Sequence, residues 1–134
     1  MGVIRVRREI LEELLAQARA DPQHECCGLL SGRESVVTRI HPAPNALASA
    51  TEYEIAPANL FAIMSAMRAE ALELMGIYHS HPAGENRPSA RDIRRAYYPH
   101  AAYFVLSPLG GAPRPIRAFS ICQGRAEEFD IETV

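Results

Sequence analysis

The chain has 134 residues, 48% of them hydrophobic and 22% charged, with a formal net charge of −2. That is the balance of a single ordinary domain spanning residues 1–134, long enough to bury a core without disulfide staples. The charge gives no electrostatic argument for a nucleic-acid partner, and no apolar run reaches transmembrane length, so neither nucleic acid nor membrane is an expected partner.

The N-terminus does not read as a signal peptide, because Arg5, Arg7, Arg8 and Glu9 interrupt any apolar region. Residues 3–6 (VIRV) read as a short strand. Residues 7–20 place Ile10, Leu11, Leu14, Leu15 and Ala18 on one helical stripe, and Asp21-Pro22 ends that helix. CCGLLSG (26–32) suits a buried strand, with a turn at Gly32-Arg33-Glu34 into VVTRI (36–40). Cys26, Cys27 and Cys122 are odd in number and lack a Cys-x-x-Cys spacing. They argue for a reduced, cytoplasmic setting and against a thiolate zinc ribbon. HPAPNALASA (41–50) reads as a loop, and TEYEI (51–55) alternates like a strand.

Pro57 suits the first turn of a helix running to about residue 72, with Leu60, Ile63, Met64 and Met67 inward. Residues 74–79 form the next strand. Ser89 opens a helix to about Tyr97, and AYFVLS (102–107) is a strand. IRAFSI (116–121) and EEFDIE (127–132) pair through Gln123-Gly124. Helices interleave with strands and the last strands form a meander. The expected fold is therefore α/β or α+β, three layers with a mixed sheet. All 14 basic residues are arginine; a GC-rich coding sequence or avoidance of modification on lysine accounts for that. Arg87, Arg91, Arg94 and Arg95 form a local basic cluster.

The chemistry concentrates in GIYHSHPAGENRPSARD (76–92). His79 and His81 are two apart, so on a strand their imidazoles point the same way and can converge on one metal ion. Pro82 ends the strand, Gly84 and Pro88 turn the chain, and a helix opened by Ser89 carries Asp92 back toward the histidines. Two histidines and a carboxylate leave one tetrahedral zinc position for water, the pattern of a catalytic site. Each piece has an ordinary reading too. Paired histidines often lie on a surface, and Ser89-x-x-Asp92 is a sound helix cap with an acid near the positive end of the dipole. The four positions together are the rarer coincidence. A zinc hydrolase also needs a carboxylate to take a proton from water. Glu25 is the candidate, and Glu52 and Glu54 serve on spacing alone.

Glu25 in HECCGLLSG, then His79-Ser80-His81-Pro82, six residues, and Ser89-x-x-Asp92 resemble the JAMM (MPN+) zinc metallopeptidases, in a small prokaryotic form. The resemblance covers nearly the whole chain. It implies a fold like that of the cytidine deaminases, a curved mixed β-sheet flanked by helices. It implies one zinc on His79, His81 and Asp92 with a water as fourth ligand. It makes Glu25 the general base and Ser89 the donor to the oxyanion of the tetrahedral intermediate. Family members cut peptide or isopeptide bonds after the Gly-Gly tail of a ubiquitin-like or sulfur-carrier protein, and one group releases a C-terminal cysteine. The expected protein is a monomer or homodimer, and loop 41–50 is an expected flap over such a tail.

Three rival readings exist. A DNA-repair-associated family shares the His-x-His-Pro-x6-Ser-x-x-Asp motif, but the Glu25-Cys-Cys-Gly segment fits the peptidases better. A non-catalytic MPN module would bind a ubiquitin-like fold without cutting it, and the complete ligand set argues against that. A zinc deaminase needs a Pro-Cys-x-x-Cys pair, which is absent. Cys26 and Cys27 are expected to pack in the core. His24, His41 and His100 are expected in solvated loops. Arg87 or Arg91 is a further candidate to hold a substrate carboxylate, against the ordinary reading of a solvated face.

Overall fold

The computed structural model describes residues 2–134, and its elements follow the hydrophobic periods of the chain. Strand β1 (Val3–Val6) leads into helix α1 (Arg8–Ala20), whose buried Ile10, Leu14 and Ala18 recur at helical spacing. β2 (Cys27–Arg33) and β3 (Val36–Ala43) form a hairpin. Its turn residues Glu34 and Ser35 both have positive φ, 53° and 64°, which matches the twist of the strands they join. Then come α2 (Pro57–Ala69), β4 (Glu73–Ser80), α3 (Ala90–Arg94), β5 (Ala102–Leu106), β6 (Ile116–Cys122) and β7 (Arg125–Thr133).

The strands are ordered β1-β3-β2-β4-β5-β6-β7, and β1 pairs with β7 as well as β3, so the sheet curls until it closes. The pairs β1–β3, β1–β7 and β4–β5 are parallel and the rest antiparallel. The mixed, curved sheet flanked by helices is as expected. Alternate residues of the central strands face two cores, as the two-residue period of a strand requires. One holds Leu30, Tyr78, Phe104 and Leu106 with α1; the other holds Leu29, Ile77, Tyr103 and Val105 under Leu60, Ile63 and Met64 of α2. Among the described residues, no helix is long and apolar enough to cross a membrane.

Several expectations change. Residues 51–55 are not a strand. Their backbone is taken up by Asn45, whose Nδ2 donates to the Glu52 carbonyl at 2.9 Å and whose Oδ1 accepts from the Glu54 N–H at 3.1 Å. That side chain satisfies groups a neighbouring strand would otherwise pair. The 41–50 stretch is not all loop, because β3 continues through His41 and Pro42. β1 pairs β3 only at Val36 and Val37, so the missing N–H of Pro42 breaks no ladder there. His41 consequently lies in the sheet, bonded to Ser31 Oγ at 2.7 Å, not in a solvated loop. Exposed His24 and His100 are as expected.

α2 stops at Ala69 instead of residue 72. Ala71 takes a left-handed φ of 55°, and the Leu72 N–H bonds back to the Met67 carbonyl at 2.9 Å, closing the helix end. The helix opened by Ser89 stops at Arg94 instead of about Tyr97. Cys27 is fully buried, while Cys26 just before the strand is half-buried.

Gly28 fixes how closely these strands approach. A Cβ there would lie 2.4 Å from the Tyr78 hydroxyl and 2.5 Å from the His41 carbonyl oxygen. Gly28→Ala should therefore lower stability by about 1–3 kcal/mol in urea titrations. Gly110→Ala, in open space, should change it by less than about 0.5 kcal/mol. Equal effects would refute the packing argument.

Candidate active site

β4 ends where its side chains meet the second core. His79 is 1% exposed, with Cys27 of β2 and Val105 of β5 as its strand neighbours. His81 follows just beyond the strand, its N–H donating to the Leu106 carbonyl at 2.8 Å. The turn after it is pinned by buried Asn86, whose Nδ2 donates to the carbonyls of Val105 (3.3 Å) and Arg114 (2.7 Å). Ser89 caps α3. Its Oγ accepts the Asp92 N–H at 3.1 Å, while its own N–H donates to Asp92 Oδ2 at 2.8 Å. This reciprocal box fixes the carboxylate in direction.

Asp92 Oδ2 also lies 3.1 Å from His79 Nε2 and 3.2 Å from His81 Nε2, and the two Nε2 atoms are 3.1 Å apart. Zinc bonds of about 2.0–2.1 Å to nitrogen and oxygen would set tetrahedral ligand atoms about 3.3 Å apart. The triangle is thus close to one face of a zinc tetrahedron. His81 Nδ1 donates to the Glu85 carbonyl at 2.8 Å, which leaves the Nε2 lone pair directed into the triangle. Burial pulls the His79 pKa down against the pull of Asp92, keeping that imidazole neutral and fit for a metal. Burial works to raise the Asp92 pKa, but the close imidazoles of His79 and His81 and the Ser89 N–H hold it well below the usual carboxylate range. The donor set and its spacing fit zinc. These three residues are also the group of His, Cys, Asp and Glu, among the described residues, placed to share an ion.

Glu25 stands just before β2, held by backbone. Its N–H donates to the Ser49 carbonyl at 2.8 Å and its carbonyl accepts from Asn45 Nδ2 at 3.1 Å. Ser80, between the two histidines, locks the next residue: its Oγ accepts the Cys26 N–H at 2.9 Å and its N–H donates to the Cys26 carbonyl at 3.0 Å. The Glu25 side chain is 5% exposed. Burial pushes its pKa up to about 7, with Asp92 and Glu52 adding to the rise and His81 and Arg91 opposing it. Glu25 Oε1 and His79 Nδ1 are the buried side-chain atoms without a hydrogen-bond partner among the described residues. Both belong to this site.

Three contributors were not picked out from sequence. Tyr53 stacks on the His79 ring, centroids 4.5 Å apart and planes 17° apart, which fixes the imidazole's tilt. Nothing in TEYEI signals that. Ser80 is hidden inside the motif it serves. Asn45 follows Pro44 in a loop, the setting in which Asn side chains bond nearby backbone, and that signal was readable. Glu52 and Glu54, the alternative acids, pair with Arg91 and Arg95 instead. These pairs neutralise much of the basic cluster. Beside Asp92 a cleft of about 210 Å³ opens over Leu29, Ile55, Leu60, Ile77 and Tyr103, with the paired charges lining it. Asn45 lies inside the expected flap, so that loop also holds the backbone of Glu25.

The raised pKa of Glu25 favours its protonated form in the folded state. Its ionisation therefore costs no stability below the ordinary value of 4.5, an increasing amount up to about 7, and a constant amount above. In metal-free protein, Glu25→Gln should be more stable than wild type by about 1–3 kcal/mol near pH 8. The difference should vanish toward about pH 4.5, as followed by urea melts. A pH-independent difference would contradict the assignment.

Residues 7–122 match the family model described as prokaryotic homologs of the JAB domain. A desampylase of Haloferax volcanii is 36% identical over 107 residues, spanning 78% of this chain and 77% of that one. A probable TtuB-protein conjugate cleaving protease of Thermus thermophilus is 36% identical over 124 residues, spanning 92% and 79%. A CysO-cysteine peptidase of Mycobacterium tuberculosis is 31% identical over 134 residues, spanning 98% and 92%. Among solved structures, a Desulfitobacterium hafniense protein superposes with a TM-score of 0.85 at 31% identity, covering 98% of this chain and 92% of that one. A JAB1/MPN domain protein of Archaeoglobus fulgidus shares the fold at a TM-score of 0.67 and 17% identity, covering 98% and 100%. A match over that span, with relatives above 30% identity along most of their own length, makes this chain a member of the prokaryotic JAB-domain (JAMM/MPN) family.

Proposed function

We propose that this protein is a zinc-dependent JAMM-type peptidase. It hydrolyses the peptide or isopeptide bond after the Gly-Gly tail of a ubiquitin-like or sulfur-carrier protein. The observation that carries the reading is the triangle of His79 Nε2, His81 Nε2 and Asp92 Oδ2 beside buried Glu25. The names of the relatives support the substrate class: desampylase, conjugate-cleaving protease and CysO-cysteine peptidase.

His79, His81 and Asp92 would hold the metal. When bound, zinc supplies a Lewis acid and a water of lowered pKa. Glu25 accepts a proton from the attacking water and delivers it to the leaving amine. A buried carboxylate held beside the metal ligands can do both. The Ser89 hydroxyl has a lone pair engaged by the Asp92 N–H, so its proton is free to donate to the developing oxyanion. Capping and catalysis thus use opposite ends of one hydroxyl. A binding-only module has no use for a complete ligand triangle or a buried acid beside it.

Mass spectrometry of a Gly-Gly-tailed carrier, extended by cysteine or by a lysine-linked peptide, tests the reading. Wild-type, zinc-loaded protein should remove an extension. Glu25→Ala should keep about one zinc while kcat falls by about 10²–10⁴. His79→Ala, His81→Ala and Asp92→Ala should each lose zinc and turnover together. Turnover surviving in Glu25→Ala would overturn the general-base role.

Ser89 can be tested with a pair of variants. Ser89→Ala should cost about 1 kcal/mol of stability and Ser89→Gly only a few tenths. Both should lower kcat by about 10²–10³. If kcat instead tracks the stability loss, Ser89 is a cap alone.

A further inference from the structure

Arg91 precedes the ligand Asp92 and lines the same cleft. Its guanidinium pairs with Glu52, and its side chain is 43% exposed. A guanidinium carries five N–H donors, more than a single carboxylate takes up. Anchoring the 51–55 segment does not require Arg91. Arg95 pairs with Glu54 at 3.3 Å, and Asn45 holds the backbone of Glu52 and Glu54. Tyr53, between those two acids, stacks on His79. The Arg91–Glu52 pair therefore stands beside the reacting centre while the neighbouring pair and Asn45 do the structural work.

The leaving group decides what a cation there meets. When the bond cut joins the carrier tail to a single terminal residue, the leaving amine carries a free α-carboxylate, separated from the scissile nitrogen only by Cα. A guanidinium beside the metal ligands can reach it, and its planar fork suits a carboxylate. When the amine belongs to a lysine side chain, no carboxylate lies there. Resting on the peptidase reading above, we infer that Arg91 is a specificity-determining receptor for the α-carboxylate of a single C-terminal residue. Glu52 holds that guanidinium in place and is displaced when substrate binds. The protein is thereby biased toward trimming one terminal residue from a carrier and away from dismantling lysine-linked conjugates.

The test uses zinc-loaded Glu25→Gln protein, in which turnover is blocked, and calorimetric binding of three ligands. These are the Gly-Gly-tailed carrier extended by cysteine with a free carboxylate, the same carrier with a C-terminal amide, and the carrier joined to a lysine side chain. The free-carboxylate ligand should bind best. Adding Arg91→Gln should weaken that ligand alone by about ten- to a hundredfold, leaving the other two within about twofold. Adding Glu52→Gln should strengthen it, because the competing carboxylate is gone. In otherwise wild-type enzyme, Arg91→Gln should raise KM for the free-carboxylate substrate and leave KM for the lysine-linked one within about twofold. If Arg91→Gln and Glu52→Gln shift all three ligands in one direction, the pair is only a clasp across the cleft and the inference is overturned. Equal affinities for acid and amide would overturn it too. Failure of all three ligands to bind would count against the peptidase reading itself.

Discussion

Two imidazole nitrogens and a carboxylate oxygen stand 3.1–3.2 Å apart at the end of β4, and much of the structure serves to hold them there. Three lone-pair-bearing atoms at that separation, one on a ring that is 1% exposed, have no favourable arrangement without a proton or a cation among them. The protein spends its strongest local devices on this point. A helix cap aims Asp92, a carbonyl sets the tautomer of His81, and a stacked tyrosine fixes the plane of His79.

The closed sheet explains how such distant residues meet. Antiparallel pairing of β2 with β4 sets Cys27 opposite His79, and Ser80 reaches across to the backbone of Cys26. Glu25 is therefore held at a fixed position relative to His79 and His81 by strand register, although more than fifty residues separate them in the chain. Gly28 permits the close approach that this register needs. The two cores keep the strands from slipping, since a one-residue shift would exchange their faces. Catalytic geometry and folding stability thus share one interaction, the β2–β4 pairing.

The metal-ligand group and most elements were legible because they obey local rules. Residues i and i+2 of a strand share a face, Ser-x-x-Asp begins a helix, and apolar positions at helical spacing mark α1 and α2. What was not legible depends on partners far along the chain. TEYEI has the alternation of a strand, yet Asn45 claims its backbone and His79 claims its tyrosine. Pro42 looked like loop because its sequence does not tell which side of β3 is unpaired. Ser89 carries both a cap and a chemical role in the sequence, and the structure shows its oxygen accepting the Asp92 N–H. Sheet closure through the four residues of β1 has no local signature.

The central claim is that His79, His81 and Asp92 bind zinc and leave one position for water. Zinc K-edge X-ray absorption of the purified protein tests it most directly. The account predicts a four-coordinate shell of nitrogen and oxygen at about 2.0–2.1 Å with the outer-shell scattering of two imidazoles, and loss of that signature in Asp92→Ala. A sulfur scatterer at about 2.3 Å, or a zinc shell unchanged by that substitution, would contradict it.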